Sequence, residues 1–280
     1  MPRSGRVQRS VSRRRRLRLL ALVIACGVIA TIVVVTLPRS SHRGPAACTV
    51  TAAGVDYALT PDQAENAAII AAAAHRLSLP DHAVTIGLAA ALQESKLRNL
   101  PYGDRDSLGL FQQRPSQGWG SKAQIAQPDY AATAFFNAMR KISGWQTLDV
   151  ADIVQRVQRS ADGSAYAQWD GEARAYAAAL TGETPAALRC SNLLLRHVLS
   201  AEQVSDQIQE ALGVSALRPG ITTAAGWQAA SYLVARAQSD GITTVSFAGK
   251  TWTAGSGAWR PGGDATGRVT FAVVAQLPAR

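Results

Sequence analysis

The sequence is poor in the residues that usually build metal sites. Its 280 residues include three cysteines and four histidines, and neither type occurs after His197. Because zinc in proteins is held mainly by cysteine, histidine and acidic ligands, the segment after residue 200 lacks the means to build a zinc site. His75 and His82 have no carboxylate cluster beside them in the sequence, and we interpret them as ordinary helix residues. We therefore expect neither a metal nor a cofactor.

Motifs for nucleotide and ester chemistry are missing as well. The chain has no Gly-x-Ser-x-Gly, no phosphate-binding loop and no dinucleotide fingerprint. The net charge of +10 is confined to the N-terminus: residues 1–47 carry ten arginines and no acid, whereas residues 48–280 carry nineteen bases and nineteen acids. No basic stripe with interleaved aromatic residues follows, so we expect no nucleic-acid partner.

The basic N-terminus is instead typical of a membrane-topology signal. Residues 1–18 hold eight arginines, and residues 19–37 are uncharged and mostly apolar. At about 1.5 Å per residue, the second segment matches a hydrocarbon core of roughly 30 Å. The excess of arginine before it predicts a cytoplasmic tail (1–18), a single transmembrane signal anchor (19–37), a linker (38–54) and an extracytoplasmic remainder in a cell-membrane protein.

Two alternatives to an uncleaved anchor stay open. Val23-Ile24-Ala25-Cys26 fits a lipoprotein cleavage box, although the apolar run continues for ten residues beyond Cys26. Cleavage as an ordinary signal peptide near Ala46 is the other alternative, for which the apolar run is long.

Capping signals and apolar periodicity predict a helical domain over residues 55–190. Thr60-Pro61-Asp62-Gln63 combines an N-cap, a first-turn proline and a capping box, and Pro80 precedes a second helix start. Gly87 inside that second helix favours close packing against a neighbour. The predicted helices are 60–76, 81–95, 129–142, 148–160 and 165–180, with no more than a minor hairpin beside them.

One carboxylate stands at the end of the most apolar helix, at Glu94. Burial and the negative end of the helix dipole both disfavour its ionised form, which raises a pKa. A carboxyl group with a pKa nearer neutrality can donate a proton as a general acid. Ser95 follows Glu94 directly, and the apolar turn Gly109-Leu110-Phe111-Gln112 comes fifteen residues later.

This Glu-Ser pair and Gly-Leu-Phe-Gln turn resemble motifs of the lytic transglycosylases in the lysozyme-like superfamily, over residues 77–180. The resemblance implies that Glu94 is the catalytic acid and that residues 109–112, with Phe111 in place of the family's commoner Met, line a glycan groove. It also implies a tyrosine hydroxyl on Glu94. The third family motif, Ala-Tyr-Asn, has a partial counterpart in Ala175-Tyr176-Ala177, which makes Tyr176 the candidate.

Other substrate contacts are inferred from residue chemistry. Ser95 is placed to hydrogen-bond near the Glu94 carboxyl, and the Gln112 amide can pair with a sugar N-acetyl group. Tyr102 and Trp119 flank the loops with aromatic faces suited to stacking on sugar rings. The alternatives are an inert helix-end residue for Ser95, a buried structural role for Gln112, and core or loop packing for the two aromatic side chains. Asp104 and Asp106 are candidates for a second carboxylate, with local turn hydrogen bonds as the alternative.

Cys48 and Cys190 lie at the two ends of the helical domain. With Cys26 inside the predicted anchor, they are the two thiols left in an oxidising compartment, so we predict a disulfide between them. Two free buried thiols are the alternative.

Residues 200–280 have a different pattern. Ser200-Ala201-Glu202-Gln203 opens a helix to about residue 212, a second helix is predicted at 227–238, and strands at 242–247, 250–253 and 268–275 follow. This predicts a small α+β module without catalytic residues.

The sequence therefore predicts a mainly α protein: a lysozyme-like helical domain after one N-terminal transmembrane helix, followed by the small α+β module. The expected function is cleavage of peptidoglycan glycan strands, as a lytic transglycosylase or as a glycoside hydrolase. A catalytically silent peptidoglycan-binding or scaffold protein with the same fold is the alternative.

Overall fold

Two antiparallel sheets accompany the helices, so the chain is mixed α+β. The computed structural model describes residues 44–158, 164–195, 199–213, 216–263 and 265–275. The helices of this part are α1 Pro61–Arg76, α2 Asp81–Ser95, α3 Lys122–Ile125, α4 Pro128–Met139, α5 Val150–Gln158, α6 Ser164–Ala167, α7 Asp170–Leu180, α8 Ala201–Leu212, α9 Thr223–Ala235 and α10 Ala237–Asp240. The strands are β1 Ala47–Ala52, β2 Val55–Leu59, β3 Leu188–Ser191, β4 Ile242–Phe247, β5 Lys250–Thr253, β6 Trp259–Pro261 and β7 Thr270–Val273.

The first sheet, in the order β2-β1-β3, corrects the predicted fold class. A mainly α fold was wrong, because β1 lies inside the predicted linker and pairs antiparallel with both β2 and β3. The signal is a short alternation in which Cys48 and Val50 are buried while Thr49 and Thr51 are partly exposed. Four residues of alternation bounded by small residues are easily taken for a linker.

The second part of the correction concerns the membrane. The predicted cytoplasmic tail (1–18) and signal anchor (19–37) lie outside the described residues. Within the described ranges, no helix has both the length and the apolar character needed to cross a membrane. The longest of these helices, α1, has 16 residues, fewer than the roughly 20 that a span needs. This finding corrects two predictions. They are the fold class that includes a transmembrane helix and the single-pass location at the cell membrane.

The predicted disulfide between Cys48 and Cys190 is confirmed. The two cysteines face each other in the register of β1 and β3, and both side chains are buried. The disulfide therefore fastens the start of the described chain to the strand that follows the helical region.

Helix α2 forms the centre of the core. Every residue from Ala83 to Leu92 is buried, and α2 packs against α1, α4, α5, α6 and α7. Gly87 makes this possible, as predicted: a Cβ atom there would lie 2.7 Å from the Phe136 ring and 3.1 Å from Ile70. A helix buried on all sides leaves its C-terminal turn as the place where a polar side chain can reach a surface.

Residues 200–275 pack directly on the helical region. The second sheet has the order β6-β5-β4-β7, and α9 lies between β4 and the helices α1 and α7. The indole N–H groups of Trp252 and Trp259 donate to the backbone carbonyls of Cys190 (3.1 Å) and Leu188 (2.9 Å) on β3. The described residues between 44 and 275 therefore form one compact unit with a continuous hydrophobic core.

A buried ion cluster joins α9 and α10 to α1. The Arg236 guanidinium donates to both carboxylate oxygens of Asp240, at 2.9 and 3.1 Å, and lies 3.1 Å from Glu65. The three side chains are 15%, 5% and 25% exposed, respectively. Burial raises the pKa of Glu65, and the charge of Arg236 opposes that rise.

Replacement of Arg236 by methionine is expected to lower the free energy of unfolding by about 3–5 kcal/mol, because the carboxylates of Asp240 and Glu65 lose their buried counter-charge. Chemical denaturation of the purified chain at neutral pH measures this loss. The control is Arg174→Met, which breaks the more exposed Arg174–Asp170 pair and is expected to cost less than about 1 kcal/mol. Equal losses in the two variants would contradict a structural role for the cluster.

Candidate active site

Glu94 lies in the last turn of α2, where the buried helix meets the surface. Its side chain is half-buried, whereas Ser95 is 3% exposed. The helix ends immediately afterwards, because Lys96 and Leu97 adopt left-handed conformations with φ of 55° and 57°. This turn redirects the chain and leaves the Glu94 carboxyl at the edge of the core.

Two side chains from outside α2 hold the Glu94 carboxyl. The Tyr166 hydroxyl of α6 donates to Glu94 Oε1 at 2.9 Å, and the Gln158 side chain at the end of α5 also interacts with the carboxyl group and lowers its pKa. Burial raises the pKa of Glu94, and the interactions with Tyr166 and Gln158 partly oppose the rise because they favour the ionised form. The carboxyl is thus oriented and more easily protonated than an exposed glutamate, as a proton donor requires.

The turn at residues 109–112 packs against the same helix end. The Ser95 hydroxyl lies 2.8 Å from the Leu110 carbonyl oxygen, and Gln158 Nε2 donates to the Phe111 carbonyl at 2.8 Å. Gly109 permits this approach, because it has a φ of 81° and its Cβ would lie 2.9 Å from the Ile125 carbonyl oxygen. The structure therefore brings the two sequence motifs together, with Gln158 between Glu94 and the turn.

The side chains of this turn do not line an open groove. Leu110 and Phe111 are buried at 0% and 1% exposure, and the Phe111 ring stacks on Phe135 at 4.7 Å between centroids. Gln112 Nε2 donates to the carbonyls of Tyr102 (3.3 Å) and Gly109 (3.2 Å), so its amide braces the preceding loop. The groups of this turn that lie nearest to Glu94 are therefore backbone atoms and not side chains.

A different tyrosine from the expected one contacts Glu94. The Tyr176 hydroxyl donates to Glu172 Oε1 at 2.6 Å, within α7, and not to Glu94. Sequence reasoning missed Tyr166, although the tripeptide Ala-Tyr-Ala occurs twice, at 165–167 and 175–177. Gln158 was missed too, and no feature of the sequence marks it out.

The remaining predicted contacts make no hydrogen bond to the Glu94 carboxyl within the described residues. Tyr102 is 68% exposed on its loop. Trp119 is half-buried and lines a cavity of about 530 Å³ that Gln158 also lines. Ser95 contacts Leu110 and not the Glu94 carboxyl.

The candidates for a second carboxylate have local partners. Asp106 accepts hydrogen bonds from Arg114 (2.8 Å) and from the backbone and hydroxyl of Ser116, and these partners lower its pKa. Asp104 is exposed and lies 3.8 Å from Arg105. Within the described ranges, no group of three or more histidine, cysteine or acidic residues could hold a metal ion. Glu94 is therefore the carboxyl group best placed for acid–base chemistry.

Loss of the Tyr166 hydroxyl in Tyr166→Phe is expected to raise the pKa of Glu94, because a hydrogen bond to the carboxylate is removed. A reaction that needs protonated Glu94 loses rate above that pKa, so the alkaline limb of the kcat/KM profile should move to higher pH. The control Tyr176→Phe removes the hydroxyl that binds Glu172 and should leave the limb in place. A limb that does not move in Tyr166→Phe would show that Tyr166 does not tune Glu94.

Comparison of the sequence with protein-family models and with curated proteins finds no match. The resemblance to lytic transglycosylases therefore depends on the short sequence motifs at Glu94 and residues 109–112.

Proposed function

We propose that this chain cleaves the β-1,4-linked glycan strands of peptidoglycan, with Glu94 as general acid and then general base. One observation carries the proposal: the Glu94 carboxyl is half-buried at the end of an apolar helix, hydrogen-bonded to Tyr166, and joined through Gln158 to the turn at residues 109–112. Burial that raises a carboxyl pKa, combined with a fixed orientation, is the arrangement that glycosidic acid catalysis uses.

The proposed reaction needs a single carboxyl group. Protonated Glu94 donates its proton to the glycosidic oxygen as the bond from that oxygen to C1 of the muramoyl unit breaks. The ionised carboxylate then accepts the proton of the muramoyl 6-hydroxyl, whose oxygen bonds to C1 and closes a 1,6-anhydro ring. The substrate's N-acetyl group can stabilise the oxocarbenium-like centre between these steps. Tyr166 and Gln158 orient the carboxyl throughout.

The surroundings of Asp106 favour this route over attack by water with inversion. An inverting hydrolase needs a second carboxylate as base, about 6.5–9.5 Å from the acid. Asp106 is bound by Arg114 and Ser116, which lower its pKa and make it a weak base. If water attacks C1 in place of the 6-hydroxyl, with Glu94 as the base, the same carboxyl group catalyses hydrolysis.

A second function, glycan binding without cleavage, is favoured by a specific feature of the site. Glu94 is not among the residues that line the cavity of about 530 Å³, although its partner Gln158 is. A strand held in that cavity and out of reach of Glu94 would be bound and left intact.

Digestion of purified sacculi separates these possibilities. Soluble fragments with 1,6-anhydro ends, identified by mass, would support the transglycosylase, and fragments with reducing ends would indicate hydrolysis. Sacculi that bind the chain and release no fragments would overturn the enzymatic proposal in favour of binding alone.

A further inference from the structure

A cavity of about 530 Å³ lies beside the proposed active site. It is formed by the loop before α3, one side of α4 and the end of α5. The side chains that matter for its chemistry are Trp119, Tyr130, Asn137, Lys141, Arg156 and Gln158. Its volume falls in the range of 300–1,000 Å³ that is typical of small-molecule sites.

The charged side chains that line this cavity, among the residues that the structure describes, have one sign. Lys141 and Arg156 line it and are exposed, and no acidic side chain of the described residues lines it. No ion pair joins either cation to an acid among the residues that the structure describes. Two cations near one concave surface favour an anionic ligand, and the arginine fork suits a carboxylate in particular.

The other lining groups suit a sugar. Trp119 and Tyr130 are half-buried aromatic side chains, which pack well against the apolar face of a pyranose ring. Asn137 Oδ1 is buried and has no hydrogen-bond partner within the described ranges. An unpaired buried acceptor is unfavourable, and an amide or hydroxyl donor of a ligand would satisfy it.

The cavity is adjacent to Glu94 through one side chain. Gln158 lines the cavity, donates to the Phe111 carbonyl and interacts with the Glu94 carboxyl. A sugar in the cavity would therefore belong to the same strand as the bond that Glu94 is proposed to cleave.

We propose that this cavity is a subsite for a carboxylate-bearing N-acetyl sugar, in which Arg156 and Lys141 pair with the carboxylate, Trp119 and Tyr130 pack on the ring, and Asn137 accepts from an N-acetyl N–H or hydroxyl group. This inference rests on the proposed function and refines it: the recognised unit is the acidic sugar of the strand and not its neutral neighbour. The carboxylate is either that of the sugar's own lactyl ether or one on a peptide attached to it.

Binding measurements on the Glu94→Gln variant test the subsite without turnover. Three tetrasaccharides serve as probes: one of four N-acetylglucosamine units, one with alternating N-acetylmuramic acid carrying free lactyl groups, and the same strand carrying peptide stems. At least one acidic strand is expected to bind about tenfold or more tightly than the neutral one in calorimetry, and the tighter of the two identifies the source of the carboxylate.

Substitution of the two cations should abolish this preference. Adding Arg156→Gln and Lys141→Gln is expected to bring the acidic strands to within about twofold of the neutral one, while affinity for the neutral strand stays the same. Adding Arg140→Gln and Lys250→Gln instead removes the same charge from outside the cavity and should keep the tenfold preference.

Three results would overturn the inference: equal affinity for all three probes, a preference that survives loss of Arg156 and Lys141, or no binding of any probe. The failure of the proposed function is a separate result. Intact sacculi after incubation with the unmodified chain would refute cleavage, even where the preference for the acidic strand is measured.

Discussion

Glu94→Gln is expected to slow the release of soluble glycan from sacculi by about 10²–10⁴-fold, the contribution of a positioned general acid–base group. The amide keeps the size of the side chain and can still accept the Tyr166 hydrogen bond, but it can neither donate a proton to the leaving oxygen nor accept one from the incoming hydroxyl. Mass analysis of fragments released by equal amounts of folded protein measures the effect.

Glu172→Gln is the matched control for this prediction. Glu172 is also a carboxyl group hydrogen-bonded to a tyrosine, Tyr176, but it lies in α7 and contacts neither Glu94 nor the turn at residues 109–112. Activity close to that of the unmodified chain is expected. A comparable loss in both variants would indicate a general effect of removing a carboxylate, and undiminished activity in Glu94→Gln would refute the role of Glu94.

Removal of the Cys48–Cys190 disulfide is the change with the largest expected effect on stability. The bond closes a loop with a sequence separation of 142 residues, and the chain-entropy model gives about 5 kcal/mol for a loop of that size. The double variant Cys48→Ala/Cys190→Ala is therefore expected to unfold at much lower denaturant concentration. Urea denaturation followed by circular dichroism measures the shift.

Cys26→Ala provides the control, because Cys26 takes no part in the disulfide; the midpoint of unfolding should not change. Reduction of the unmodified chain should reproduce the midpoint of the double variant. A loss below about 1 kcal/mol would mean that the hydrogen bonds of β3, including those from Trp252 and Trp259, fasten the chain end without the covalent bond.

Local signals in the sequence predicted most of the helices. The capping boxes at Thr60 and Ser200 are present and start α1 and α8. The hairpin of β4 and β5 also has its predicted bounds. These signals work because a cap or a tight turn is decided by residues three or four positions apart.

Structure that depends on distant partners was predicted less well. Strand β1 is stabilised by pairing with β3, whose Cys190 follows Cys48 by 142 residues, and four alternating residues do not reveal that partner. The predicted helix at 165–180 is two helices, α6 and α7, separated by Gln168 and Trp169. Trp169 Nε1 donates to Gln93 at 2.7 Å, a contact with α2 that apolar periodicity cannot predict.

The candidate site shows the same difference between features set by local sequence and features set by distant partners. Glu94 and its position at a helix end could be predicted, because both depend on one helix. Its partners could not, since Tyr166 and Gln158 approach from α6 and α5 and only the packing of three helices selects Tyr166 over Tyr176. Both tyrosines lie in the same tripeptide, Ala-Tyr-Ala, so the sequence alone gives no reason to prefer one over the other.

The central claim is that the fold holds Glu94 as an oriented carboxyl group with a raised pKa. Titration of the folded chain by ¹³C NMR, with the Glu94 carboxyl signal assigned by its loss in Glu94→Gln, measures that pKa directly. A midpoint above the ordinary value of 4.5 is expected, because burial outweighs the opposing interactions with Tyr166 and Gln158. A midpoint at or below 4.5 would contradict the account, since Glu94 would then be an ordinary ionised glutamate.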